Sequence, residues 1–168
     1  TARTIGGTSF NGSANIAVAL AATATALATA RTIAGVSFDG SANIALALND
    51  LSDAVTNSSG VTIGIGTDAL ANDDGSTNFN TALGYKAGED VTSGTYGLFL
   101  GYYAGLNVTT AIGTIAVGGT AMGLGVTTGN YNIAIGYEAG YDLTSGTHNF
   151  LGGFRAGWNA TTATGNVA

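Results

Sequence analysis

From Val61 onward, a glycine returns at nearly fixed intervals, and this spacing limits what the chain can fold into more than any other feature. The segments ALGYKAG (82–88), LFLGYYAG (98–105), AIGYEAG (134–140) and LGGFRAG (151–157) align on Gly84, Gly101, Gly136 and Gly153. A degenerate copy, IAVGGTAMG (115–123), supplies Gly118 or Gly119, and Ile63-Gly64-Ile65-Gly66 starts the series. The interval is about 17 residues. Units end in turn triplets: Thr92-Ser93-Gly94, Thr127-Thr128-Gly129 and Thr144-Ser145-Gly146. Runs such as Ile133-Ala134-Ile135-Gly136-Tyr137 alternate large and small residues, so one face of a strand carries bulky apolar groups and the other Ala and Gly. Short strands at a fixed period, each bending at a glycine, predict a β-roll or β-solenoid in which every rung pairs with its neighbours. Six rungs at ~4.8 Å spacing make a rod segment of roughly 25–30 Å. Tyr85, Tyr102, Tyr137 and Phe154 would stack as an aromatic ladder. Asn132, Asn149 and Asn166 would form a second ladder in which each side chain caps its neighbour's backbone. Residues 112–131 carry one residue too many for the period, which predicts a bulge or local loop there.

A second repeat occupies the first third of the chain. Residues 2–20 read ARTIGGTSFNGSANIAVAL and residues 30–48 read ARTIAGVSFDGSANIALAL, a period of 28. In each copy an extended Ile-to-Phe stretch is followed by Asn11-Gly12 or Asp39-Gly40, which favour tight hairpin turns, and then by a second short strand, Ala-Asn-Ile-Ala. A lone hairpin is marginal in water, so each copy needs partners. Between the copies, Leu20, Ala24 and Leu27 have helical spacing within the Ala-rich span 17–30. The alternative there is an extended Ala/Thr connector, because Thr lowers helix propensity. Leu48, Leu51 and Val55 repeat the spacing, with Asn49 or Asp50 as a candidate N-cap. The expected division is 1–58 for these repeats with their connectors and 59–168 for the roll.

Composition then narrows the function classes. Only 8% of residues are charged, against about 25% in ordinary domains, while 45% are apolar. Disorder goes with the opposite balance, so the chain is expected to fold. So few charges can scarcely solvate an independent surface, which points to an obligate oligomer. A formal net charge of −6 and four scattered basic residues (Arg3, Arg31, Lys86, Arg155) argue against nucleic-acid binding. The lowest-polarity stretch, 16–30, is broken by threonines and is shorter than the ~20 residues a bilayer needs, so no membrane insertion is expected. The N-terminus lacks a basic region leading into an apolar one, as a signal peptide would have.

The segment ATARTIAGVSFDGSANIAL (28–46) resembles a repeat of bacteriophage tail fibres, and Leu48-Asn-Asp-Leu-Ser-Asp53 is similar to a connector in fibre proteins of marine cyanobacterial phages. The 17-residue units resemble repeats of trimeric fibre and adhesin heads. These resemblances cover nearly the whole chain. They imply a mostly β, elongated homotrimer located in the virion as an extracellular appendage for host attachment. The implied partners are two identical chains, other tail or baseplate proteins, and a host surface glycan or protein reached through parts outside this segment. The head of a bacterial trimeric adhesin, binding matrix or glycans, is the alternative. The chain begins inside a Thr-Ala-Arg-Thr-Ile unit and stops within an Asn-x-Ala unit, so a slice of a longer fibre is expected.

No catalytic, cofactor or metal residue is expected, and no enzyme. His148 is the only histidine and there is no cysteine, so the usual zinc sets cannot form. Asp68, Asp73 and Asp74 would make at best a weak Ca²⁺ site, and Glu89-Asp90 reads as solvated turn charge. Gly64-Ile-Gly66 lacks the third glycine of a dinucleotide fingerprint. A polysaccharide-cleaving tailspike needs two carboxylates in a cleft, and no inserted loop is long enough to build one. Exposed Trp158, Tyr141, Tyr103 and Tyr131 suit either sugar stacking or packing between chains, and packing is the favoured reading. The Thr109-Thr110, Thr127-Thr128 and Thr161-Thr162 pairs fall at turns, which argues against an ice-binding face.

Overall fold

The computed structural model describes residues 61–168 and five short strands before them: β1 (Arg3–Ile5), β2 (Thr8–Phe10), β3 (Arg31–Ile33), β4 (Val36–Phe38) and β5 (Ala54–Thr56). The chain divides into two compact units, Thr1–Asp50 and Leu51–Ala168. Among the described residues there is no helix.

In the first unit each 28-residue repeat contributes one antiparallel pair. Arg3 pairs with Phe10 and Ile5 with Thr8 in one, and Arg31 pairs with Phe38 and Ile33 with Val36 in the other. The sequence predicts the chain reversal at Asn11-Gly12 and Asp39-Gly40. The observed pairing puts it earlier, inside the stretch expected to be a single strand. Two residues separate the paired strands, Gly6-Gly7 in one copy and Ala34-Gly35 in the other. A two-residue connection is the commonest in hairpins; Asn11-Gly12 and Asp39-Gly40, where the sequence places tight turns, lie outside the described residues. The Ala-Asn-Ile-Ala segments and the candidate helix at 17–30 lie outside the described residues. Val55, placed by spacing in a helical linker, is instead central in strand β5.

The second unit is a parallel β-solenoid. Its six rung strands are β6 (Ile63–Ile65), β7 (Thr81–Leu83), β8 (Leu98–Leu100), β9 (Ile115–Val117), β10 (Ile133–Ile135) and β11 (Phe150–Gly152). They stack in sequence order, and β5 closes the β6 edge in antiparallel fashion, with Val55 opposite Gly64. An otherwise open strand edge is thereby paired. The central residues of successive strands face one another in register: Gly64, Ala82, Phe99, Ala116, Ala134 and Leu151.

Each rung bends where its glycine takes a backbone conformation that L side chains rarely adopt; Gly84 and Gly136 both have φ near 137°. A Cβ on Gly84 would stand 2.5 Å from the Gly101 carbonyl oxygen of the next rung, so the close approach expected from the sequence does require glycine. An alanine flanked by two left-handed residues follows, as in Lys86-Ala87-Gly88 with φ of 55° at Lys86 and 61° at Gly88. This turn also bonds rung to rung, with the Gly88 N–H donating to Ala104 O at 2.9 Å and the Gly105 N–H to Ala121 O at 2.8 Å.

The small face of the alternation is the inner one. Ala82, Ala116 and Ala134 are buried with the turn alanines, Val91, Val108 and Leu143, while the larger strand residues on either side point outward. A coil of 17 residues leaves little interior, and the few large core groups enter by complement. Phe99 fills the middle of the coil because Gly88, Gly97 and Gly105 leave room for its ring; a Cβ on Gly97 would lie 2.5 Å from Phe99 Cε2. Where the strand residue is small, as at Gly64 and Ala116, the turn supplies Leu70 or Met122 instead.

Candidate functional site

Rung lengths run 18, 17, 17, 18 and 17 residues from one strand start to the next. Both longer rungs have a visible cause. In the first, the extra residue is absorbed at Asp73-Asp74-Gly75-Ser76, where Asp73 Oδ1 accepts from the Gly75 N–H at 3.0 Å and Asp74 Oδ1 from the Ser76 N–H at 2.9 Å. The second is the irregularity expected within 112–131. It is a bulge at which Leu124 and Gly125 both donate to Tyr141 O, each at 3.0 Å, and Asn107 Nδ2 donates to Gly123 O and Leu124 O. The solenoid is therefore built from three-rung blocks. Residues 61–112 and 113–164 align without a gap and share 23 of 52 positions. The 17-residue rung masks this longer period.

Side chains inside the turns form the expected asparagine ladder. Asn132 Oδ1 accepts from the Asn149 N–H at 3.1 Å and Asn149 Nδ2 at 3.0 Å, and Asn149 Oδ1 accepts in the same way from Asn166 at 3.0 and 2.9 Å. Asn80 is a further member that the sequence reading missed, accepting from the Gly97 N–H at 2.7 Å and donating to Gly94 O at 2.8 Å. Thr114 holds this position in the bulged rung, and its buried hydroxyl has no partner. The network is structural: buried polar groups satisfied rung by rung.

Outside, aromatic rings stack along the coil. Tyr85 lies on Tyr102 with centroids 5.7 Å apart, and Tyr137 on Phe154 at 5.9 Å, the two pairs being separated by Gly119. This is the expected ladder, broken once. A second ladder lies two residues before the strands. Phe79 stacks on Tyr96 at 5.2 Å and Tyr131 meets His148 at 5.2 Å, with Gly113 between the pairs. The 17-residue glycine pattern alone does not connect Tyr131 with His148. The signal that groups them is the residue just before each ladder asparagine. Tyr141 stacks on Trp158 at 5.9 Å, and Tyr103 tilts against both Tyr85 and Tyr102.

Charged groups occupy other positions of the rung. Asp68 faces Lys86 at 3.9 Å, Lys86 pairs with Glu89 at 2.9 Å, and Glu138 pairs with Arg155 at 2.6 Å. The Arg155 guanidinium also lies over Phe154 and Trp158, 5.2 and 5.4 Å from their centroids. Glu89 raises the Lys86 pKa, chiefly through their hydrogen bond, and a hydrogen bond to Glu138 raises that of Tyr137. The Asp74 carboxyl is held below the usual carboxylate range by the Ser76 backbone N–H and by Asn78. Asp68 is thus engaged with Lys86, whereas Asp73 and Asp74 bind their own turn and Asn78. Asp90 accepts from Asn72 at 3.1 Å, and no group of three or more potential metal ligands occurs among the described residues. At the turns, Thr92 and Thr144 hydroxyls donate to the carbonyls of Thr109 and Thr161 one rung on.

The surface left by this arrangement is a strip of large apolar side chains flanked by the two aromatic ladders. Comparisons with protein-family models, with curated proteins and with solved structures return no match for this chain.

Proposed function

We propose that this chain is a non-catalytic structural segment of a bacteriophage tail fibre, working as a homotrimer in the virion appendage that brings a phage to its host. The observation that carries the proposal is the pairing of two repeat systems in one chain: ARTI-type hairpin copies resembling tail-fibre repeats, then a six-strand parallel coil. A solenoid suits a mechanical role. Each rung is bonded to the next through strand and turn, and the last rungs also through the asparagine ladder, so load along the axis is shared by many hydrogen bonds. Other tail or baseplate proteins would hold its ends, and host surface groups would be met by regions beyond this segment.

Mass measurement of the full chain by light scattering tests the oligomer: the expected value is three times 16.4 kDa, and a monomer mass at all concentrations sinks the reading. Immunogold labelling of intact phage particles with an antibody to residues 113–164 tests the location. Label confined to a tail appendage is expected, and label on a bacterial cell surface instead would favour the adhesin head. That second reading draws on the Tyr141–Trp158 stack beside Asp142, whose Trp158 ring is exposed, a pairing of aromatic and acid that suits a sugar ring.

A further inference from the structure

We infer that copies of this chain join through the strip formed by the outward strand residues and the two flanking aromatic ladders; the inference rests on the oligomeric reading above and assigns its surface. Four columns run along the coil on this side. The inner two are the outward residues of each strand, Ile65, Leu83 and Ile135 among them, 40%, 53% and 44% exposed. The outer two are the ladders, represented by Tyr96 and Tyr102. None of the four columns contains an Asp, Glu, Lys or Arg on any of the six rungs, although the chain has 14 such residues. The acids and bases of the coil lie at other rung positions, where several pair with one another, and only at the rim do the Lys86 ammonium and the Arg155 guanidinium reach over ladder rings, Tyr85 and Phe154.

The surface rings and their period point to a second copy of this chain as the occupant. Phe79, Tyr96, Tyr131 and His148 all sit in left-handed backbone, with φ between 56° and 60°. Glycine or asparagine suits that conformation better, and Gly113 and Gly165 hold the equivalent position in other rungs. The same conformation recurs off the strip at Lys86, Glu138 and Arg155, so it belongs to the turns of the rung, and what marks this column is that its rings are left on the surface. Both ladders also lapse in the same rung, at Gly113 and Gly119. The strip is therefore corrugated with a three-rung period. A second copy has the same ~4.8 Å rung spacing and the same period, so in closed symmetry about the coil axis its ridges and bare rungs lie level with these.

The area is that of a large surface patch. Five rung steps of ~4.8 Å and about 20 Å across the columns give roughly 500 Å² in projection. That is near the upper end of the ~300–600 Å² patches found on monomers.

The chain has no native cysteine, so introduced thiols report on this surface alone. Leu83→Cys and Ile135→Cys on the strip, and Thr110→Cys on an exposed turn, are made in the full chain, and maleimide labelling rates are compared at the concentration where the oligomer forms. At least tenfold protection at 83 and 135, with none at 110, is expected. The double variant Leu83→Asp/Ile135→Asp should run as a monomer that retains a β-type circular dichroism spectrum, while Thr110→Asp/Thr162→Asp remains oligomeric. An oligomer with freely labelled 83 and 135 overturns the surface assignment and leaves the oligomeric reading standing. A wild-type monomer overturns both. Protection that appears only on adding phosphatidylcholine vesicles gives the strip to lipid and overturns the inference.

Discussion

The two three-rung blocks, residues 61–112 and 113–164, are the same design executed twice, and the positions where they differ are informative. They agree where the backbone is demanding: the bend glycines Gly84 and Gly136, the turn alanines Ala87 and Ala139, the inner Asn80 and Asn132. At the outward strand positions they exchange one uncharged residue for another, Ile65 for Val117, Leu83 for Ile135, Leu98 for Phe150. At the charged arc the exchange is free, Lys86 for Glu138 and Tyr103 for Arg155. In core packing the blocks place their large groups alike, with Leu70 and Met122 entering from the turn and Phe99 and Leu151 from the strand. A rung thus fixes its inside by geometry, and the outer strip tolerates any uncharged group, while charge is confined elsewhere.

If the blocks are equivalent, matched substitutions should cost alike. The largest effect is expected at the bends. Gly84→Ala and Gly136→Ala each drive a Cβ into the carbonyl of the next rung from a backbone that already disfavours it. Each should cost more than ~4 kcal/mol or abolish folding, as seen in denaturant titrations. Next come the core groups. Phe99→Ala is expected to cost about 3–5 kcal/mol and Leu151→Ala about 2–5 kcal/mol. A loss under ~1 kcal/mol at either would mean that the coil closes over the space, and the complement between ring and glycines would be wrong.

Much of this was legible from sequence, for identifiable reasons. The rung length, the glycine bends, the first aromatic ladder and the Asn132–Asn149–Asn166 ladder follow from a period, and a period survives without knowing the fold. Which face is inner does not follow, because the alternation Ile133-Ala134-Ile135 is symmetric to reversal. Only the tightness of the coil decides that alanine goes in. The split of the Ile-to-Phe stretch into two paired strands is not legible locally, because its residues read as one extended run and only the pairing of Arg3 with Phe10 divides it. The second ladder and the 52-residue block were present in the sequence, and an offset comparison longer than one rung would have found them.

The asparagine ladder offers a comparison within one column. Asn132→Ala removes a side chain that accepts from the Asn149 backbone and donates to Gly129 O and Gly146 O, leaving buried groups unpaired. A loss of about 1–3 kcal/mol is expected. Thr114 occupies the same position with an unpartnered hydroxyl, so Thr114→Val should be neutral or stabilise by up to ~1 kcal/mol. Thermal unfolding of the pair decides the matter: a loss at Thr114 as large as that at Asn132 would show that its hydroxyl is satisfied after all.

The smallest difference concerns how each block absorbs its extra residue. The first uses a turn held by carboxylates, and the second uses a bulge, 123–128, that contains no titratable side chain. Asp74 is held below the usual range because the Ser76 N–H and Asn78 favour its charged form. A depressed folded-state pKa stabilises the fold above the unfolded-state value and loses that contribution as pH falls through the folded-state value. Acid should therefore loosen the first block's turn at pH below about 4, ahead of any change at the second block's bulge. Amide shifts of Gly75, Ser76 and Gly125 followed by NMR from pH 6 downward provide the measurement. The Ser76 transition is expected below the ordinary aspartate midpoint and should vanish in Asp74→Asn, with Gly125 unmoved over the same range. A Ser76 midpoint at or above the ordinary value would mean that these hydrogen bonds do not hold the carboxylate, and that the two blocks absorb their extra residue with no difference in acid response.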